Sequence, residues 1–111
     1  MATTWKELVK GTALTGTAAL MYTAPALTYA TIQAAAVTNS TAGAVAVNVY
    51  IVPSGQSVGN AYRVLSQNVE AGATGNLSGL VNHKLEPGAT IYADGNGLNL
   101  TISGAEYVPN T

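Results

Sequence analysis

The stretch Gly43–Pro53, GAVAVNVYIVP, decides how the rest of the chain is read. Val45, Val47, Val49 and Ile51 alternate with Ala44, Ala46, Asn48, Tyr50 and Val52. On an extended backbone successive side chains point to opposite faces, so the four β-branched residues share one side. The other side is smaller but also mostly apolar. A strand apolar on both faces is central, or is covered on its second face by another layer or chain. Tyr50 and Val52 are candidate interface residues on that ground. Pro53 then removes a backbone donor and Ser54-Gly55 supplies a turn, which ends the strand.

Working outward, the same period recurs. Ala30–Asn39 (ATIQAAAVTN) reads as the preceding strand, joined through Asn39-Ser40-Thr41-Ala42-Gly43. Before it, Ala13–Thr17 and Ala19–Thr23 read as short, weak strands, and Pro25 ends that segment. After the polar loop Ser54–Asn60 comes a strand over Tyr62–Glu70. Leu80-Val81 is expected as a short strand. Glu86-Pro87-Gly88 is a turn, with Pro fixing φ and Gly accepting a positive φ. Thr90–Ala93 is a strand, and Asp94-Gly95-Asn96-Gly97 favours a tight hairpin. Leu98, Leu100 and Ile102 alternate cleanly with Asn99, Thr101 and Ser103, giving one core face and one wetter face. Turns every ten or so residues between short strands predict an all-β chain, a single β-sandwich over residues 12–111.

Residues 1–11 read differently. Thr4-Trp5-Lys6-Glu7 matches a capping box, and Leu8, Val9 and Lys10 can complete about two helical turns before Gly11. The expectation is a short N-terminal helix or arm. Trp5, Leu8 and Val9 share one side of it. So short a helix is unstable alone, so that side must dock on its own domain or on a neighbour. The three residues are the candidate anchor for a partner.

Composition narrows the function. The 111 residues make one domain. There is no Cys, hence no disulfide framework and no thiolate metal site. Only 8% of residues are charged, and the cations Lys6, Lys10, Arg63 and Lys84 are scattered. Nucleic-acid binding needs clustered Lys and Arg and is not expected. Between Gly11 and Tyr62 there is neither charge nor His. Either Thr, Asn, Ser and Gln keep that surface in water, or much of it is covered by other subunits, whose interface cores are depleted in charge. No run approaches the roughly 18 apolar residues of a membrane span. Lys6 and Lys10 could open a signal peptide, but Thr12, Thr15, Thr17, Thr23 and Pro25 interrupt the apolar segment it would need.

Reactive constellations are scarce. His83 lies alone between Asn82 and Lys84, without the partner that a nucleophile-activating base requires. The carboxylates Glu7, Glu70, Glu86, Asp94 and Glu106 lack catalytic or calcium-loop spacing. No phosphate-cradling glycine motif occurs. No catalytic residue, metal or cofactor is expected. Three Asn-X-Ser/Thr triplets, at Asn39, Asn76 and Asn99, carry little weight in so Asn-, Ser- and Thr-rich a chain. The six tyrosines could line a sugar-binding surface or straddle core and rim.

The segments Thr23–Gly55, Leu85–Gly95 (LEPGATIYADG) and Leu100–Val108 (LTISGAEYV) resemble small structural proteins of tailed bacteriophages, with Val49–Gly55, VYIVPSG, the most telling part. The resemblance implies a single sandwich or jelly-roll domain built into a virion. Among virion components, the first expectation is a capsid decoration, or cement, protein. Such a protein sits on the outer surface of the head, binds the major capsid protein across capsomers, and assembles with itself as a homotrimer suited to icosahedral symmetry. A tail, baseplate or fibre accessory that binds glycans through its tyrosines is the alternative, and a binding module unrelated to phage is a third.

Overall fold

In the computed structural model, which describes residues 2–109, nine strands form two antiparallel sheets that face each other. They are β1 (Ala2–Ala13), β2 (Ala19–Thr23), β3 (Tyr29–Asn39), β4 (Val45–Val52), β5 (Arg63–Val69), β6 (Thr74–Asn76), β7 (Lys84–Leu85), β8 (Thr90–Asp94) and β9 (Leu98–Val108). One sheet has the order β1-β9-β3-β6, with β7 also pairing β3; the other has the order β2-β8-β4-β5. The pairs β4–β5, β3–β6, β2–β8 and β1–β9 are the rungs of one long folded hairpin. Pairs β3–β9 and β4–β8 then close the roll. This is the jelly-roll arrangement of two facing sheets.

The expected strand pattern holds where alternation was clean. In β4, Val47 and Val49 are fully buried between the sheets, flanked by Val45 and Ile51 at the margins. In β9, Leu98, Leu100 and Ile102 are fully buried. That strand runs on to Val108 and lies between β1 and β3. Tyr50 and Val52, on the outer side of β4, are also buried, at 8% and 1% exposure. The turn Asn60–Tyr62 packs against β4, so these two residues are covered within a single chain. Leu80-Val81 is not a strand. Ser78–Leu80 forms a 3-10 turn, and Leu77, Leu80 and Leu85 are fully buried beside β3 and β5, where β6 and β7 are too short to close the wall.

The N-terminal helix expected from the capping box is absent; residues 4–10 lie within β1. A helix of two turns would keep few internal hydrogen bonds. The edge of β9 offers a ladder running from Ala2 opposite Val108 to Ala13 opposite Asn99. Thr3, Thr4, Trp5 and Val9 suit an extended backbone. The register slips between Glu7 and Val9, and both Leu8 and Val9 are buried, at 6% and 2% exposure. A regular strand would have turned one of them outward.

Each passage of the chain between sheets is tied to a second passage beside it. Asn39 is the main tie. It is fully buried and lies where β3 hands over to β4. Its Nδ2 donates to Gly43 O and to Val69 O, each at 2.9 Å. Its Oδ1 accepts from Thr41 N at 2.9 Å and Thr41 Oγ1 at 2.6 Å. Its backbone N–H donates to Ala73 O at 2.9 Å, in the β5–β6 passage. One side chain thereby satisfies the carbonyl of buried Val69, which would otherwise be left unpaired away from water, and fixes that of Gly43 beside Thr41.

Asn39→Ala is expected to destabilise the fold by about 1–3 kcal/mol, because it leaves the carbonyl of Val69 buried and unpaired. Urea or thermal unfolding measures this, with Thr38→Ala, on the exposed face of β3, as a near-neutral control. A second site tests the packing between β9 and β3. A methyl added at Gly104 would overlap the carbonyl oxygen of Thr31 and sit 3.1 Å from Leu8 Cδ1. Gly104→Ala is therefore expected to cost about 3 kcal/mol through overpacking.

Candidate interaction surface

No group of three or more His, Cys, Asp or Glu among the described residues is arranged to hold a metal ion. His83 is half-buried; its backbone carbonyl accepts from Ile32 N at 3.0 Å, and its ring makes no hydrogen bond among the described residues. Two polar groupings tie strands together. Tyr22, projecting from β2 toward the core, donates its hydroxyl to Glu106 Oε2 on the opposite sheet. Lys6 Nζ approaches Glu106 Oε1 at 3.4 Å. On the outer side of the other sheet, Asn48 Nδ2 and Tyr50 OH donate to the two oxygens of Asp94, at 2.9 and 3.0 Å. Burial first, then the bond to and charge of the neighbouring carboxylate, push both the Tyr22 and Tyr50 hydroxyls above the ordinary tyrosine range. The Arg63 guanidinium partly offsets this at Tyr50. Both phenols are thereby held neutral, as donors, and neither is activated as a nucleophile.

The remaining distinctive feature is an apolar patch at the end of the roll that carries both chain termini. Tyr29 on β3 and Tyr107 on β9 are directly opposed in the ladder. Their rings stack with centroids 5.4 Å apart and planes at 17°. Trp5, paired with Ala105, lies diagonal to Tyr107 on the same outer face and is 68% exposed. Beside the tyrosines, Leu27 is 78% exposed and Val108 43%. Leu27, Tyr29, Pro87, Val108 and Pro109 line a shallow hollow of about 360 Å³. Lys84 and Glu86 border a second hollow that shares Pro87.

Local turns set this geometry. Thr28 N donates to Pro25 O at 3.1 Å, closing a turn that leaves Leu27 at φ 60°. A left-handed backbone at a residue with a Cβ costs roughly 1–2 kcal/mol. The chain holds Leu27 outward in spite of that. On the other wall, Ala89 N bonds Glu86 O at 2.9 Å and Gly88 has φ 82°, which is the Pro-Gly turn expected from the sequence. Large exposed apolar residues are ordinary when scattered, but a contiguous group with a polar rim marks a contact surface.

Of the residues named from the sequence, Trp5 belongs to this patch. Leu8 and Val9 are in the core, and Tyr50 and Val52 lie under their own chain, so these four offer no area to a partner. Leu27, Tyr29, Tyr107 and Val108 were not singled out as a group. Only the β3–β9 register brings them together, although Pro25 before Leu27 had marked a break. No family model, curated protein or solved structure matches the chain.

The raised tyrosines carry a pH consequence. A group whose folded pKa exceeds its unfolded value contributes stability that is present below the unfolded pKa and lost as pH climbs past it. Unfolding free energy should therefore be level up to about pH 10, the ordinary tyrosine pKa, and fall above it as the unfolded chain loses protons that Tyr22 and Tyr50 retain. Urea titrations at stepped pH measure the slope. Tyr22→Phe and Tyr50→Phe should each make the alkaline decline shallower.

Proposed function

We propose that this chain is a non-catalytic structural component of a phage-type virion, a decoration protein that attaches to the outer shell of the head and braces neighbouring capsomers. The observation that carries the reading is the exposed patch of Trp5, Leu27, Tyr29, Tyr107 and Val108 on a domain whose other ordered polar groups tie its own strands. Aromatic residues supply most of the energy at protein contacts. The jelly roll is itself a recurrent architecture of viral capsid and lectin domains, an analogy of fold only. The resemblance of VYIVPSG and LEPGATIYADG to phage structural proteins points the same way.

The mechanism is mechanical. A partner that binds only the assembled shell stabilises that shell by mass action. Pressure from packaged nucleic acid must then break the decoration contacts as well as those between capsomers. The patch fits this work because its energy comes from burying rings and aliphatic side chains, which tolerates the small shifts of a strained lattice better than a charge pair does.

A second reading, a tail or fibre accessory that binds glycans, draws on the same tyrosines. It is the weaker of the two because Tyr29 and Tyr107 cover each other's faces, leaving less ring surface for a sugar to stack upon.

Two measurements test the proposal. Particles stripped of this protein should release their nucleic acid at a lower temperature than complete ones, and adding back the purified chain should restore them. Trp5→Ala combined with Leu27→Ser should leave the melting temperature of the isolated chain within a few degrees, yet weaken rebinding at least tenfold, since a buried anchor contributes about 2 kcal/mol or more. Absence of the chain from purified particles, or stripped particles as heat-resistant as complete ones, would sink the cement role.

A further inference from the structure

We propose that Asn96 is a self-modifying site: the backbone nitrogen of Gly97 closes on the Asn96 side-chain amide, ammonia is expelled, and water opens the resulting succinimide to aspartate or isoaspartate. The reaction needs only solvent water and hydroxide. It is independent of any partner and of a place in a virion.

The β8–β9 hairpin holds two pairs of the same kind in succession, Asp94-Gly95 and Asn96-Gly97. Both suit ring closure, because glycine puts no Cβ in the path of the attacking nitrogen. The fold treats them oppositely. Asp94 is half-buried. Its two carboxylate oxygens accept from Asn48 Nδ2 at 2.9 Å and from Tyr50 OH at 3.0 Å. The nitrogen that would attack it is engaged too, since Gly95 N donates to Thr15 O at 2.8 Å. Gly95 itself is buried. The reacting atoms at Asp94 are therefore each held elsewhere.

Asn96 is exposed, and its side chain makes no hydrogen bond among the described residues. Gly97 is exposed as well. Its N–H reaches Leu14 O at 3.4 Å, longer than the other backbone bonds in the turns and crossings of the described residues. A bond of that length is weak, so the nitrogen is released by small local motions of the turn. Among the asparagines of the chain, Asn96 is the one followed by glycine; the others precede Ser, Val, Ala, Leu, His or Thr, whose side chains obstruct the attack.

The steps balance without any redox partner. Hydroxide takes the Gly97 amide proton, and the nitrogen bonds to Asn96 Cγ. The bond from Cγ to Nδ2 breaks, and Nδ2 takes a proton from water and leaves as ammonia. Water then adds to the ring. Cleavage between Cγ and Gly97 N gives aspartate on the original backbone. Cleavage at the main-chain carbonyl gives isoaspartate, whose backbone runs through Cγ and is one methylene longer. Either product adds a negative charge to a chain of formal net charge -1. The longer backbone also meets packed neighbours. A methyl group on Gly97 would overlap Thr41 Cγ2, and Leu98 is fully buried. Thr41 in turn gives its N–H and its hydroxyl to Asn39 Oδ1. Isoaspartate at position 96 thus displaces Thr41 or Leu98 and loosens the end of the roll that Asn39 fastens.

Incubation of the full chain in warm, mildly alkaline buffer tests this, read by peptide mapping with mass spectrometry and by enzymatic labelling of isoaspartate. In the folded chain Asn96 should deamidate about tenfold or more faster than any other asparagine, and the rate should rise with hydroxide. Isoaspartate at Asp94 should form only in denaturant, whereas at position 96 it should form in both states. Asn96→Ser should remove that product. Asn96→Asp carries the new charge on an unaltered backbone, so when fresh it should melt with the wild type, while the isoaspartyl fraction separated by ion exchange should melt several degrees lower. An Asn96 that stays intact in the folded chain under conditions that convert it in denaturant would overturn the proposal. So would isoaspartate at Asp94 as abundant in the folded chain as in denaturant. An isoaspartyl fraction that melts with fresh Asn96→Asp would overturn the link to the Asn39 end.

Discussion

The structure depends on fastening together pairs of passages between its two sheets, and the clearest fastening is the amide of Asn39. A folded hairpin wound into a roll must cross from sheet to sheet repeatedly, and each crossing strands backbone groups that no ladder can reach. At Asn39 the β3–β4 and β5–β6 crossings lie side by side, and one side chain with its own N–H bonds to both. The other crossings use backbone alone. Leu14 N bonds Leu98 O and Gly95 N bonds Thr15 O, each at 2.8 Å, where β1–β2 meets β8–β9. Ala24 N bonds Ala89 O at 2.8 Å and Gly88 N bonds Ala24 O at 3.0 Å at the opposite end. A chain without cysteine keeps its wound form through such ties together with the β3–β9 and β4–β8 ladders, which form only when the hairpin is rolled.

What was legible in the sequence follows from the range of the forces involved. The strands at Val45–Val52, Arg63–Val69, Thr90–Asp94 and the start of Leu98–Val108 are written in period-two patterns, a property of neighbours along the chain. The Pro87-Gly88 turn is written in two residues. The order of strands is not written locally, since every rung of the roll pairs segments by register and burial that emerge only on folding. The N-terminal segment shows the limit most sharply. Thr4 and Glu7 carry a helix signal, but its weight is a few hydrogen bonds in a short piece. The edge of β9 competes with a ladder running the length of the strand, and buries Leu8 and Val9 besides.

The candidate surface was legible only at Trp5. That residue is named from the sequence as part of one side of a helix, and although the helix does not form, Trp5 is left on the outer face of β1, 68% exposed. Leu8 and Val9 beside it looked equally available on a helix, yet a slip in register turned both into the core. Tyr50 and Val52 looked like an uncovered face because the sequence does not say that the turn at Asn60–Tyr62 folds back on β4. Tyr29 and Tyr107 are far apart in sequence, and their stacking is a product of the β3–β9 register.

The two ends of the roll differ in a way that bears on use. The end holding Asn39, Thr41 and the Asp94–Gly97 hairpin is stitched by short hydrogen bonds among small polar residues. The end holding the termini exposes Trp5, Leu27 and Val108 and keeps Leu27 in a backbone region that costs free energy. If solubility and folding were the only demands on this chain, a glycine or asparagine at position 27 would relieve the strain and remove exposed apolar area at once. That an outward leucine stands there, beside a stacked tyrosine pair, is a local conflict of the kind expected where a surface serves a partner. The two ends of the roll are thus chemically different, and of the two it is the one holding the termini that leaves ring and aliphatic area uncovered.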